Sequence, residues 1–186
     1  MSENIASTSW NHPETPEAPE IRTMLIGFYD LTSYMKYCKG KDDLYILELM
    51  NGYFDLTGGI IQNAGGVLVK TIGDAGLAVF PEDLSDVGVR TFLKVKTEGD
   101  AWLASKGVPS KALVKIHYGS VACGMVGAPN QKRFDVYGKN VNTTALLPSS
   151  GIAISPQAFR SLNSDTRKLF KKHTRPVTYI AQTETH

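Results

Sequence analysis

The chain has 186 residues, 42 % of them hydrophobic and 20 % charged, enough for one core that buries roughly 70 % of the unfolded surface. This composition excludes a disulfide-stapled miniprotein, a fibrous chain and a wholly disordered one. The net charge of +2 divides unevenly: residues 1–20 hold Glu3, Glu14, Glu17 and Glu20 with no Lys or Arg, leaving +6 on the remainder. Such an excess suits a polyanionic ligand, an acidic partner or a plain lysine-rich surface, and is too small to mark a nucleic-acid binder. No apolar run reaches the ~18 residues of a membrane span, and the N-terminus lacks the basic and apolar regions of a signal peptide. Cys38 and Cys123 lie far apart without metal-ligand spacing, so two reduced thiols and a cytoplasmic location are expected, and zinc is not.

Residues 1–20, with Pro13, Pro16 and Pro19 among Ser, Thr and Glu, are expected to form a flexible acidic tail or linker, and residues 21–186 one domain. Met24 to Tyr29 is an apolar run of strand length that stops at Asp30. From Asp42 to Asn63, Leu44, Leu47, Met50, Phe54 and Ile61 recur at helical intervals. Val67–Ile72 and Ala75–Phe80 then read as a hairpin around Gly73-Asp74. A second helix is predicted from Asp83 to Ser105, burying Val87, Phe92, Val95 and Trp102 and ended by Gly107-Val108-Pro109.

Leu113–Tyr118 and Val121–Val126 read as another antiparallel pair around Gly119-Ser120, followed by a short extended piece, Phe134–Gly138, and a helix from Asn140 to Leu147. Late strands at Ile152–Ile154 and Val177–Ala181 flank a short helix from Pro156 to Leu162. Hairpins separated by helices argue an α+β fold, and the simplest match is a ferredoxin-like βαββαβ antiparallel sheet with helices packed on one face, extended by extra C-terminal strands.

Asp30 and Asp74 each close an apolar strand. Converging carboxylates there suit Mg²⁺, which takes one or two carboxylates and completes its shell with water and phosphate; otherwise Asp30 caps a helix and Asp74 serves the turn. Lys70, and Asp135 between Phe134 and Val136, are ionisable groups in apolar segments that suit the hydrogen-bonding edge of a base, or plain surface. Gly138 to Asn142 opens a helix with amide side chains, which favours anions or simply caps the helix. The cluster Arg167-Lys168 and Lys171-Lys172-His173 grips phosphates or forms a solvated face. His117 has no Ser, Cys or acid at triad spacing and reads as a core or sheet-face residue.

In order, these segments resemble the catalytic domain of class III adenylyl and guanylyl cyclases from about Ile21 to Ala181. Ile26–Asp30 is similar to the family's first metal motif and Val69–Gly76 to its hairpin signature. Ile116–Gly119 through Gly124–Gly127 is similar to its glycine-rich hairpin, and Phe134–Asn142 to the segment that reads base and ribose. The resemblance implies that Asp30 and Asp74 hold two Mg²⁺ or Mn²⁺ ions and that Leu31, Thr32 and Tyr34 lie along the substrate. Lys70 and Asp135 then select the base as the adenine-type pair, favouring ATP, and Asn142 orients the ribose. It further implies a homodimer with shared, head-to-tail sites, and leaves room for an upstream regulatory domain or a partner chain.

Where the family usually carries a transition-state Arg, one turn after Asn142, this chain has Leu146, and Thr143–Leu147 contains no cation. Arg133 and Lys139 are candidate substitutes, and Lys171 or Lys172 matches the late phosphate-binding Lys. Two expectations follow: an adenylate cyclase making cyclic AMP and pyrophosphate, or a weak or inactive cyclase-homology domain serving as a nucleotide-binding or regulatory dimer.

Overall fold

A computed structural model describes residues 16, 18–174 and 176–184; the expected tail, apart from residues 16 and 18–20, lies outside them. In chain order the elements are β1 (Glu20–Leu31), α1 (Tyr34–Cys38), α2 (Asp43–Asn63), β2 (Val67–Ile72), β3 (Ala75–Pro81), α3 (Ser85–Ser105) and β4 (Ala112–Val126). They continue through β5 (Arg133–Tyr137), α4 (Lys139–Leu146), β6 (Ile152–Ile154), α5 (Pro156–Ser161), α6 (Ser164–Arg167), β7 (Phe170–His173) and β8 (Thr178–Ala181). The strands form one sheet in the order β2-β3-β1-β4-β6-β8-β7, with β5 paired to β4. The first four strands of that order are the expected ferredoxin-like core, and the later strands extend it. The pairing is antiparallel except between β4 and β6, which run parallel from Val114↔Ile152 to Ile116↔Ile154.

The two long helices close in the same way. Gly65 (φ 81°) and Gly107 (φ 71°) take the left-handed position after the last turn. Gly66 N donates to Ile61 O and Val108 N to Leu103 O, both six-to-one bonds of a Schellman motif. Both helices pack on one face of the sheet, where alternate strand residues Leu25, Tyr29, Ala78, Phe80, Val114 and Ile116 meet Tyr53, Ile61, Phe92 and Val95. The intervening residues Met24, Ile26, Leu77, Val79, Val121 and Cys123 face the other side and pack with Val136 and with Val141 of the short α4. No helix among the described residues is long and apolar enough to cross a membrane, and both cysteines are free.

Three expectations are corrected. Leu113–Tyr118 and Val121–Val126 are not a hairpin but one strand, β4, because the long β1 pairs with it without interruption from Leu31↔Ala112 to Glu20↔Cys123. That ladder overrides the turn propensity of Gly119-Ser120, and the hairpin of this region is β4–β5, from Val126↔Arg133 to Ala122↔Tyr137. Leu44, Leu47 and Val87 are exposed rather than buried, at 69, 66 and 41 %. No strand is expected at residues 170–173, yet the Lys171-Lys172-His173 run lies on strand β7, held by pairing with β8 and by buried Phe170.

Candidate active site

Asp30 stands on β1 just past Tyr29↔Gly76, the last β1–β3 pair. Beyond that pair the tip of the β2–β3 hairpin replaces the ladder: Asp74 Oδ2 accepts the Leu31 N–H at 3.0 Å. The helix-cap alternative for Asp30 falls away, since Asp30 lies within the strand and Ser33 is the N-cap of α1; Asp74 lies in the β2–β3 turn, and its carboxylate ties that turn to β1. Burial pushes the Asp30 carboxyl above its ordinary value, Lys115 opposes that shift, and the charge of Asp74 reinforces it. Asp30 Oδ1 is shut from solvent with no hydrogen-bond partner among the described residues.

An orphaned buried carboxylate oxygen costs about 1–3 kcal/mol or more, and a divalent cation at this oxygen offsets that cost. The residues thus fit a metal, which Asp30 and Asp74 would hold. The described residues hold no group of three or more His, Cys, Asp and Glu side chains arranged to bind a metal ion, so water and phosphate oxygens would have to complete the shell of any ion held here, as is usual for Mg²⁺. A cavity of about 120 Å³ opens here, lined by Phe28, Asp30, Ala75, Lys115 and Ala145. Lys115 was not singled out from the sequence, where its one signal is a charge within the alternating run Leu113–Ile116.

Lys70 and Asp135 are brought together from 65 residues apart, with Nζ 2.7 Å from Oδ2. A bulge between Leu68 and Lys70 sets Lys70 opposite Leu77. In strict alternation Lys70 would share the helix-covered face with Leu68; the bulge turns it to the opposite face, where β5 carries Asp135. Asp135 is further fixed by Val136 N on Oδ1 at 2.8 Å, and Tyr137 lies under the Lys70 ammonium, 5.2 Å from its ring centre. The pair presents a donor and an acceptor side by side.

Helix α4 carries Asn142 and Leu146 one turn apart, both exposed, Leu146 at 82 %. Its start is fastened by buried His117. Asn140 Nδ2 donates to Ser120 O at 2.8 Å, which turns Asn140 Oδ1 toward His117 Nε2 at 3.1 Å. The proton therefore sits on Nε2, and Nδ1 accepts from the Ser155 hydroxyl at 2.8 Å. Burial lowers the His117 pKa below its ordinary value against the opposing Asn140 bond, consistent with a neutral ring. The end of α4 is fastened by Lys115, whose Nζ donates to Ala145 O at 2.9 Å.

The remaining candidates are placed as follows. The Leu31 side chain enters the core, and Thr32 exchanges hydrogen bonds with the Lys111 backbone, each 2.9 Å. Tyr34 opens α1 half-buried; burial, then Cys38 and the charge of Asp74, raise its hydroxyl pKa. Arg133 and Lys139 are exposed. Register puts Lys70, Leu77, Phe28, Lys115, Ala153, Ile180 and Lys171 in one row across the sheet. Lys171, three strand spacings or ~14 Å from Lys115, donates to Gln182 O at 3.3 Å.

The adenylate and guanylate cyclase catalytic domain family matches residues 17–181. The chain is 28 % identical over 138 residues to an adenylate cyclase of Anabaena cylindrica, covering 70 % of this chain and 28 % of that protein. It is 25 % identical over 170 residues to the human guanylate cyclase soluble subunit beta-2, covering 83 % and 27 %. The chain thus spans less than a third of the length of either relative. In fold it is similar to the adenylyl cyclase CyaB from P. aeruginosa, with a TM-score of 0.75 at 16 % identity over 91 % of this chain and 97 % of that one. The chain belongs to the class III adenylate and guanylate cyclase catalytic domain family.

Proposed function

We propose that this domain is an adenylate cyclase, converting ATP to 3′,5′-cyclic AMP and pyrophosphate at sites shared by two copies of the chain. The observation that carries the choice of nucleotide is the 2.7 Å Lys70–Asp135 pair. Lys donates to adenine N1 and Asp accepts from the 6-amino group, whereas guanine offers the opposite pattern at those atoms. Asp30 and Asp74 of one copy would hold two Mg²⁺ or Mn²⁺ ions, which when bound would acidify the 3′-hydroxyl and neutralise charge on the triphosphate. The 3′-oxygen forms its bond to the α-phosphorus, the bond from that phosphorus to the bridging oxygen breaks, and the hydroxyl proton goes to water. Asn142 of the other copy orients the ribose, which α4, fastened at both ends, presents in a fixed direction. Lys171 is assigned to the phosphates, and the Leu31–Tyr34 segment to the substrate beside Asp30.

Exposed Leu146 favours a second reading, a nucleotide-binding or regulatory dimer with little turnover. Incubating the purified chain with each nucleoside triphosphate and Mn²⁺, with product identification by mass spectrometry, separates the two. Cyclic AMP that disappears in Asp30→Ala is the expected result. No cyclic product from an intact dimer that binds ATP overturns the enzyme in favour of the regulatory reading.

A further inference from the structure

Lys115 is a cation built into the wall of the carboxylate site. It pairs across the ladder with Phe28, while Asp30 pairs with Leu113. Asp30 and Lys115 are therefore diagonal neighbours on one face, a relation that spans roughly 7–8 Å between strand positions. Both line the same cavity. The ammonium is not free to swing away, because Ala145 O holds it at 2.9 Å, where it also meets the carbonyl-rich end of α4.

Resting on the reading of Asp30 and Asp74 as metal ligands, we propose that Lys115 sets the charge of this site, so that the nucleotide-free protein takes up divalent metal weakly and loads it together with the substrate's phosphates. Two carboxylates alone present a charge of −2; with a fixed ammonium beside them the site presents −1. Were the ion and the ammonium apart by the strand-diagonal scale of roughly 7 Å, the repulsion, even at the dielectric of water, would be worth roughly tenfold in affinity. The triphosphate restores the missing negative charge when it arrives. Lys115 is thus a positioning residue for α4 and an electrostatic determinant of metal loading.

The two roles separate by substitution. Lys115→Gln keeps a donor for Ala145 O and removes the charge, while Lys115→Arg keeps the charge. Mn²⁺ alone is titrated into nucleotide-free protein and the free ion counted by electron paramagnetic resonance, with circular dichroism verifying the fold. The expected result is binding about tenfold tighter in Lys115→Gln, unchanged in Lys115→Arg and lost in Asp30→Asn. Should the Gln variant fail to fold, Lys115→Met supplies the neutral side chain with an apolar stem suited to a strand. Equal affinity in wild type and the neutral variant, with Asp30→Asn still losing the ion, overturns the inference and leaves Lys115 as an anchor for α4. Equal affinity in wild type and Asp30→Asn overturns the metal assignment itself and the inference with it.

Discussion

Replacing Leu146 by Arg tests whether the site lacks one cation or lacks more. Asn142 and Leu146 are four residues apart on α4, a rise of about 6 Å along the axis, and share one helix face. Leu146 is 82 % exposed, so its removal vacates almost no packed space, and Leu and Arg have similar helix propensities. A surface change of this kind stays within about 0.5 kcal/mol of wild-type stability. A cation near the helix C-terminus is mildly favourable, and the like charge of Lys115 on the adjacent carbonyl opposes it. The kinetic effect is far larger: a preorganised donor aimed at charge developing on the reacting phosphate is worth about 10²–10³ in rate, or 3–4 kcal/mol. Initial rates of cyclic product from ATP and Mn²⁺ should rise by that factor in kcat, with KM little changed, since the interaction is made in the transition state. An unchanged kcat, in a variant whose melting curve and dimer match wild type, refutes the reasoning: either another residue already supplies the charge or residue 146 does not face the phosphate.

Two stability measurements test the site's scaffold. The Asp30 carboxyl has its pKa raised in the folded protein from the ordinary 3.8, so the folded state holds that proton more tightly than the unfolded one, and the resulting stability is lost as pH rises above that value. In metal-free buffer the Tm of Asp30→Asn minus that of wild type should therefore climb as pH rises from the acid side to neutrality; a difference that falls over that range contradicts the burial argument. At Gly119 an added Cβ would lie 2.5 Å from Asn140 Nδ2, so Gly119→Ala must displace the amide that links His117 to Ser120. Overpacking of this kind costs about 1–3 kcal/mol, a fall of about 2–12 °C in Tm for a chain of this length, and a Tm within 1 °C of wild type would show that the approach is not close.

The parts of the fold legible in the sequence are those decided locally. The β2–β3 hairpin announces itself through Gly73-Asp74 between two apolar runs, and both long helices through their periodicity and closing glycines. What escaped depends on partners distant in the chain. Gly119-Ser120 carries a turn signal, but β1 pairs continuously past it. The sequence spacing of Lys70 and Asp135 does not show that they touch, because that contact depends on the bulge after Leu68 and on the β4–β5 hairpin. Leu44 and Leu47 fit a helical apolar pattern yet stand exposed, since α2 buries the stripe through Leu49, Met50, Tyr53, Ile60 and Ile61. In sequence Lys115 is like any strand lysine, and only the β1–β4 register sets it diagonal to Asp30.

The state of the scaffold bears on whether Leu146 marks a slow enzyme or a binding module. Helix α4 is tied to β4 at both ends, through His117 and Asn140 at its start and Lys115 and Ala145 at its end, so Asn142 is held on an exposed face whatever side chain occupies position 146. If position 146 faces the phosphate as proposed, the deficit there is the lack of one cation and not a collapse of the helix that would carry it. At the carboxylate end, Asp30 keeps an oxygen buried without a donor among the described residues, a cost that a module serving merely to dimerise gains nothing from and that a divalent ion would offset. On the proposed reading each copy gives its intact α4 to one shared site and its unsatisfied carboxylate to the other, and a low rate raised by a single Arg at position 146 is the outcome that reading requires.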